Sequence, residues 1–420
     1  MATEQEVKDT GSQYEKLGVD PDKNNVRATF KPIIQNDFPG SFVNIIYDPN
    51  INPWDQVQKF LGFKKNRRVL TQHQDGDGSK MIQRLLHFAV TREEEQLGYA
   101  LDDALAMNGS DIAASGFVFG PWILTQVINA NLNKDFKQTL MSALSQRGLV
   151  LKDLYRQHGF QLSFLGGETA DLPDQVRSVV FDMTVTAYAK AQDIIIGNVK
   201  PGDTIWGFAS DGKASWEDYY NSGIMANGLT LARQSLISSW HNKEYPGLRR
   251  DEDFYNGRYK LKDVPSGLGM SVSEALMSPT RQWPIVIRKI LAKLRERGCQ
   301  ELLHGISINT GGGATKIKHV GKGGIVYNKN MPEPPAIFKL IQKESHENWE
   351  NMYKTFNCGI GIDIIGTYNR GERRLQQVLQ EASDETSIML YELGSCLGSS
   401  DHSQNNVALF TNENSFPYQY

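Results

Sequence analysis

The chain has 420 residues, more than the roughly 250–300 that one hydrophobic core usually serves, so two domains are expected. Its 45 basic and 48 acidic side chains give a net charge of −3, which excludes the broad positive surface of a protein that tracks nucleic acid. Hydrophobic residues make up 40% of the chain, enough to fill sizeable cores. Any polyanionic ligand must therefore be bound locally.

The cysteines and the apolar runs indicate the compartment. Cys299, Cys358 and Cys396 are odd in number and far apart, so we expect neither a disulfide framework nor a zinc site. The first residues are polar and acidic, unlike a secretory signal, and no apolar run is long enough to span a bilayer. These features predict a soluble, cytoplasmic protein.

The predicted elements of the first half begin with a mobile arm over residues 1–23, where apolar spacing is irregular. Apolar positions at helical spacing predict a helix over 97–114, ended by Ser115-Gly116. Alternation predicts a strand over 179–189. Turn residues at 199–203 place a domain border near Asn198.

The second half begins with a polar segment, 239–272, which we interpret as a surface loop or hairpin. A basic amphipathic helix follows at 284–297 and stops at Gly298. We then expect a strand at 359–366, a helix at 372–381 and a final strand at 387–393. The tail after Gly398 is expected to be poorly ordered, except that Phe410, Phe416 and Tyr418 can dock locally. Mixed elements in both halves predict an α+β or α/β protein.

The segment 75–80, Asp-Gly-Asp-Gly-Ser-Lys, combines the residue types of a phosphate and metal site. Glycines let backbone N–H groups approach phosphate, Asp binds Mg²⁺, and Lys80 neutralises charge. Taken alone, a solvated Asp-Gly turn is the more common explanation. An EF-hand is excluded, because Lys80 and Leu86 stand where that loop needs Gly and Glu.

Three further segments carry candidate residues. Asp111, in Asn108-Gly109-Ser110-Asp111, can face the same pocket as Asp75, although from sequence alone capping or a turn is the slightly more common explanation. Gly166-Gly167-Glu168 follows an apolar run and predicts a tight turn that presents Glu168. Thr310-Gly311-Gly312-Gly313 is typical of a phosphate-binding loop at a helix start, with structural glycines as the alternative.

The ordered segments 75–80, 166–170, 310–313 and 352–361, the last reading Met-Tyr-Lys-Thr-Phe-Asn-Cys-Gly-Ile-Gly, resemble those of aminoimidazole ribonucleotide synthetase, or phosphoribosylformylglycinamidine cyclo-ligase. The resemblance covers roughly residues 13–394. It implies an ATP-dependent closure of formylglycinamidine ribonucleotide to aminoimidazole ribonucleotide in purine synthesis. It also implies a two-domain α+β fold, in which N-terminal domains pair into a β-barrel across a homodimer and the C-terminal domain is an α/β sandwich.

The resemblance assigns the chain to an ATP-binding and dimerisation domain at 1–198, an α/β domain at 199–398 and a tail at 399–420. It implies Asp75, Asp111 and Glu168 as Mg²⁺ ligands, with Lys80, Asp75 and Glu168 in catalysis. The residues implied to bind ATP or the substrate phosphate are Gly76, Gly78, Ser79, Lys80, Asp111, Gly166, Gly167, Asn227, Gly311, Gly312 and Gly313. Which glycine segment holds which phosphate is left open.

Two departures from the family pattern leave other functions open. Met225 and Ile308 stand where the family has histidines, and the loop 210–222 is longer than in the shorter family form. A kinase of a small phosphorylated metabolite, similar to thiamine monophosphate kinase, is one alternative. A nucleotide-binding homologue without catalysis is another. We interpret His304 as structural and Cys358 as a small buried residue, and expect Asn357 to cap or line the site.

Overall fold

The computed structural model describes residues 12–17, 32, 34–49, 57, 60–61, 67–367, 373–412 and 414–418. The helices are α1 Gln13–Lys16, α2 Lys80–Thr91, α3 Glu95–Gly98, α4 Ala100–Ala114, α5 Lys134–Gln157, α6 Leu229–Leu236, α7 Trp240–Glu244, α8 Val272–Met277, α9 Trp283–Glu296, α10 Ala336–Ser345, α11 Trp349–Thr355 and α12 Arg374–Thr386. The strands are β1 Ile46–Tyr47, β2 Arg68–Gly76, β3 Pro121–Ala130, β4 Gln161–Asp171, β5 Val179–Lys190, β6 Thr204–Ala209, β7 Leu303–Ile308, β8 Ile325–Asn330, β9 Ile360–Gly366, β10 Leu390–Gly398, β11 Asn406–Phe410 and β12 Ser415–Tyr418. Short 3₁₀ helices occupy Ala191–Asp193, Pro246–Leu248, Gln300–Leu302 and Gly313–His319.

The first sheet has the strand order β1-β2-β5-β3-β4. Its pairs are antiparallel except for β3 with β4. Side chains of β5 alternate between buried and more exposed, so Phe181, Met183 and Val185 form one inward face. The strand predicted at 179–189 is confirmed.

The helix predicted at 97–114 is confirmed, with a break at Tyr99 that separates α3 from α4. Every residue of α4 is buried. This helix contacts β2 and β5 on one side and β7 and α9 on the other. Polar residues of α4 therefore lie between the two halves of the chain, where each must find a partner.

The second sheet has the order β12-β11-β8-β10-β6-β9-β7. The helix predicted at 284–297 is confirmed as α9 and ends before Gly298, whose φ is 58°. The strand at 359–366 is confirmed as β9, and the helix at 372–381 begins later, at Arg374. Residue 372 itself lies outside the described residues.

Two expectations about the second half are wrong. β10 is not the final strand, because β11 and β12 continue the sheet and bury Val407, Leu409 and Tyr418. Of the aromatic residues expected to dock in the tail, Tyr418 is buried and Phe416 packs against buried core side chains. The segment 239–272 is not only a surface loop, since it contains α7 and buries Phe254 and Tyr255.

Both halves contribute to one of the two core clusters found among the described residues. Trp122 of β3 and Trp283 of α9 belong to the same cluster of buried side chains. The α+β class is confirmed. The border near Asn198 stays a prediction, although described strands of the first sheet end at Lys190 and those of the second begin at Thr204. Most of the arm predicted at 1–23 lies outside the described residues; within it, Ser12 and Glu15 form a capping box for α1.

Candidate functional site

The turn after β2 brings a carboxylate and a helix start together. Asp75 of β2 lies opposite Met183 of β5, so both side chains are on the inward face of the sheet. Gly78 has a positive φ of 59° just before α2 begins. Side-chain substitution at Gly76 is blocked, because a Cβ there would lie 2.3 Å from Asp182 Oδ1. The first N–H groups of α2 therefore follow a glycine-shaped turn, an arrangement that favours anions.

Helix α4 adds a second carboxylate beside Asp75. Asn108 Nδ2 donates a hydrogen bond to the Asp75 carbonyl oxygen at 2.9 Å. His73 Nδ1 lies 3.0 Å from Asn108 Oδ1, and its Nε2 lies 3.7 Å from Asp111 Oδ2. The motif at 108–111 is thus part of a buried helix and not a turn, and it places Asp111 in the site of Asp75.

The triple glycine approaches from the second half of the chain. It leads from β7 into the 3₁₀ helix Gly313–His319. Among the described residues, the N–H groups of Gly311 and Gly312 have no hydrogen-bond acceptor. The ideal Cβ position at Gly311 lies 3.7 Å from Asn227 Oδ1. These two N–H groups and the neighbouring Asn227 amide form a second potential anion-binding site.

Lys316 supplies the positive charge of this site. Its Nζ lies 3.3 Å from Asp111 Oδ2, donates to Thr310 Oγ1, and sits 4.8 Å from the centre of the Phe42 ring. The side chain is buried against these partners but keeps 10% of its surface exposed. The cation faces the site between Asp111 and the triple glycine, where it can offset phosphate charge.

The segment 352–361 supports both loops and does not carry chemistry itself. A Cβ on Gly313 would lie 2.5 Å from the carbonyl oxygens of Tyr353 and Phe356, and a Cβ on Gly228 would lie 2.1 Å from the Phe356 ring. Asn357 bonds to Ser210 at 2.8 Å and to the Gly223 carbonyl at 2.9 Å. This motif therefore fixes the positions of the Asn227 and Gly311 loops.

Within the described parts of the chain, two buried polar atoms of the site have no hydrogen-bond partner. They are Asp111 Oδ1 and Asn227 Nδ2. Burial, the largest cause, raises the pKa of Asp75, and the negative charge of Asp111 raises it further. Two neighbouring carboxylates with an unpaired oxygen fit Mg²⁺, which needs one or two carboxylates plus phosphate oxygens and water.

Glu168 is not brought to this site. The predicted turn at 166–168 is wrong, because β4 runs through it with only a bulge beside Gly166. Asp75 and Glu168 are separated by three strand spacings of about 4.8 Å, roughly 14 Å, and point to opposite faces of the sheet. Within the described residues, no three His, Cys, Asp or Glu side chains form a metal-binding group.

Lys80 is also placed differently from the expectation. Its side chain is fully buried, and Nζ donates to Asp103 Oδ1 at 2.9 Å, to the Met225 carbonyl at 2.9 Å and to the Ser278 carbonyl. All three donors are used within the protein, so none is directed at a phosphate. Burial lowers the pKa of Lys80 to about 8.

Asp103 is the centre of this buried cluster and was missed in the sequence. Besides Lys80 it accepts hydrogen bonds from Arg84 Nη2 and, at 2.7 Å, from the Thr280 backbone N–H. Because it lies inside a helix with no local motif, no signal in the sequence identified it. Lys316 was visible as part of a basic stretch after the triple glycine, but its pairing with Asp111 was not.

The remaining candidates are structural. His304 is buried with Nδ1 2.7 Å from Asp203 Oδ2, which supports the structural interpretation. Cys358 is fully buried, and burial raises the pKa of its thiol, which confirms a small core residue. All three cysteines are buried and form no disulfide. Met225 and Ile308, which replace family histidines, both lie in the core.

The fold and the site define an α+β protein in which two glycine-rich loops meet Asp75, Asp111 and Lys316. The chain belongs to the phosphoribosylformylglycinamidine cyclo-ligase family: it is 31% identical to the cyclo-ligase of Methanococcus maripaludis strain C5 over 326 residues, 76% of this chain and 75% of that relative. The cyclo-ligase of Methanocaldococcus jannaschii is 29% identical over 296 residues, 69% of each chain. No profile of a known protein family matches the chain.

Solved structures show the same fold at low identity. The HypE-HypF complex superposes with a TM-score of 0.50 and 9% identity, covering 94% of this chain and 99% of that chain. T. maritima PurL complexed with ADP gives a TM-score of 0.50 and 8% identity, covering 96% of this chain and 52% of that chain. In the described part of this chain, no helix combines the length and apolar character needed to cross a membrane.

Proposed function

We propose that this protein closes the imidazole ring of formylglycinamidine ribonucleotide in an ATP-dependent reaction that yields aminoimidazole ribonucleotide, ADP and phosphate. The observation that carries the proposal is the meeting of Asp75, Asp111 and Lys316 between two glycine-shaped anion sites. Two such sites suit two phosphate groups, one on ATP and one on the substrate. The cyclo-ligase names of the relatives support this choice.

The chemistry must replace an amide oxygen, which leaves poorly. Attack of that oxygen on the γ-phosphorus forms an O–P bond, breaks the bond to ADP and, with loss of the amide N–H proton, gives an iminophosphate. The amidine nitrogen then bonds to the activated carbon, loses a proton, and the C–O bond breaks to release phosphate. Catalysis of this kind depends on positioning and charge neutralisation.

The chain's own groups suit these two tasks. Mg²⁺ held by Asp75 and Asp111 would neutralise charge on the nucleotide phosphates. Lys316 offsets charge on the transferring group, and the N–H groups of Gly311 and Gly312 orient phosphate oxygens. Glu168 and Lys80 have no part in this proposal, because one faces the other side of the sheet and the other is enclosed.

We also propose a homodimer formed through the first sheet. β4 is an edge strand of 11 residues, a length that invites pairing with another strand. The sheet face opposite α4 leaves Val127 37% and Val180 44% exposed, and Leu165 at the β4 bulge is 67% exposed. Covering these apolar side chains with a second copy removes them from water.

The decisive experiment is incubation with formylglycinamidine ribonucleotide and Mg-ATP. Aminoimidazole ribonucleotide and ADP should form in equal amounts, and omission of the ribonucleotide should abolish ADP formation. ADP formation with thiamine monophosphate instead would replace the proposal by a kinase. ATP binding without turnover on either substrate would replace it by a nucleotide-binding homologue.

A further inference from the structure

A large cavity lies apart from the glycine-rich loops and is built by the two segments that the family resemblance leaves unexplained. It encloses about 760 Å³, within the range of pockets for small molecules. The loop 210–222 lines one side and residues 267–270 line another. Ser278 belongs to its wall and also accepts a hydrogen bond from Lys80, so the buried lysine cluster separates the cavity from the proposed phosphate sites.

The charged side chains that line the cavity are all acidic, and several tyrosines stand beside them. The described lining residues include no lysine, arginine or histidine, but include Asp211, Asp218, Glu274, Tyr99, Tyr219 and Tyr220. The start of α10 also reaches the cavity, and a helix start carries about half a positive charge, less than three carboxylates offset. A cation is therefore favoured in this cavity and an anion is not.

The nearby basic residues are already neutralised. Arg281 donates to Glu217 Oε1 at 3.0 Å and Oε2 at 2.9 Å, and Arg147 donates to both Asp102 oxygens at 2.7 Å. Burial raises the pKa of Asp211 and the nearby Arg281 charge lowers it, but neither guanidinium forms a described ion pair with Asp211 or Asp218. Both carboxylates line the cavity, and among the described residues neither is joined to a basic side chain by an ion pair.

The wall is also fixed in place before a ligand arrives. Arg281 donates to the Ala209 carbonyl at 3.0 Å and to the Gly212 carbonyl at 2.9 Å, so it is enclosed by the loop 210–222. Tyr219 packs edge-on against Tyr99 with ring centres 5.8 Å apart. A preformed cavity lowers the ordering cost of binding.

We propose that this cavity is a binding site for an organic cation, an amine or amidinium joined to an apolar body. The carboxylates of Asp211 and Asp218 pair with the charged end, while Tyr219 and Tyr220 contact the apolar body and attract the cation through their ring faces. Asp211 is held by a hydrogen bond from the Tyr220 hydroxyl, which fixes both groups at the cavity wall. Neither glycine-rich loop lines the cavity, so the site is distinct from the proposed phosphate sites.

Calorimetric titration of the full chain with benzamidine, without ATP or substrate, tests the site. Benzamidine should bind, whereas benzamide, its neutral analogue, should bind at least about fivefold more weakly, the scale of one partly exposed ion pair. Asp211→Asn and Asp218→Asn should each raise the dissociation constant by about the same factor. Asp174→Asn, a matched change at an exposed position outside the cavity, should leave it unchanged.

The outcomes separate this site from the proposed reaction. Absence of benzamidine binding, equal binding of benzamide, or insensitivity to both cavity substitutions overturns the proposal, whether or not the protein forms aminoimidazole ribonucleotide. A competition experiment with the proposed substrate shows which molecule supplies the cation. This experiment is the only one that rests on the proposed function. Displacement of benzamidine by formylglycinamidine ribonucleotide assigns the cavity to the substrate's amidine. Simultaneous binding assigns it to a separate cationic ligand. Either result supports a cation-binding site in the cavity.

Discussion

Replacing Lys80 with methionine tests whether this residue stabilises the fold or contacts phosphate. The substitution keeps the volume but leaves Asp103 with one cationic partner and removes the donor from two buried carbonyl groups. Breaking a buried ion pair from one side costs about 3–5 kcal/mol. We expect the free energy of unfolding, measured by urea denaturation, to fall by roughly that amount. A loss below about 1 kcal/mol together with a hundredfold loss of turnover would refute this reasoning and restore the phosphate role.

A second variant and the pH dependence sharpen this test. Lys316→Met should lose about a hundredfold in turnover while its urea midpoint falls less than that of Lys80→Met. Burial lowers the pKa of Lys80 from 10.5 to about 8. Between these values the unfolded chain binds a proton that the folded chain has lost, so this group's contribution to stability rises with pH. The stability difference between the parent and Lys80→Met should therefore widen between about pH 8 and pH 10.5.

Three further predictions follow from the site, the supporting segment and the exposed sheet. Asp111→Asn should raise the Mg²⁺ concentration needed for half-maximal ATP turnover by about tenfold, whereas the titration of Glu168→Gln should overlay that of the parent. Gly313→Ala, with a Cβ 2.5 Å from two carbonyl oxygens and a φ of 55°, should lose roughly 2–4 kcal/mol of stability in urea, and Gly247→Ala, which faces open space, within about 0.5. Sedimentation equilibrium should give twice the chain mass of 47.2 kDa and a shift toward monomer for Leu165→Glu; an active, strictly monomeric parent would contradict the dimer.

The sequence correctly predicted those elements and motifs that are determined by a single continuous segment. The alternation of β5 and the amphipathic pattern and glycine stop of α9 each reflect a regular element that buries one face. The glycine segments at 75–80 and 310–313 were also recognisable locally, since positive φ, as at Gly78, Gly312 and Gly313, favours glycine. The family could be identified from these segments together with 352–361.

The tertiary structure decided which of these residues meet. Whether a charged side chain binds a ligand or a buried partner depends on contacts between distant segments, and Lys80 finds Asp103, Met225 and Ser278 across the two halves of the chain. Glu168 was placed wrongly for a related reason: a two-residue periodicity assigns it to a face only once the strand and its register are known. The sequence by itself determined which segments have the chemistry to bind phosphate. Only the packing of α4 between the two sheets decided that Asp75, Asp111 and Lys316 share one site, because no local pattern encodes a contact between segments more than 200 residues apart.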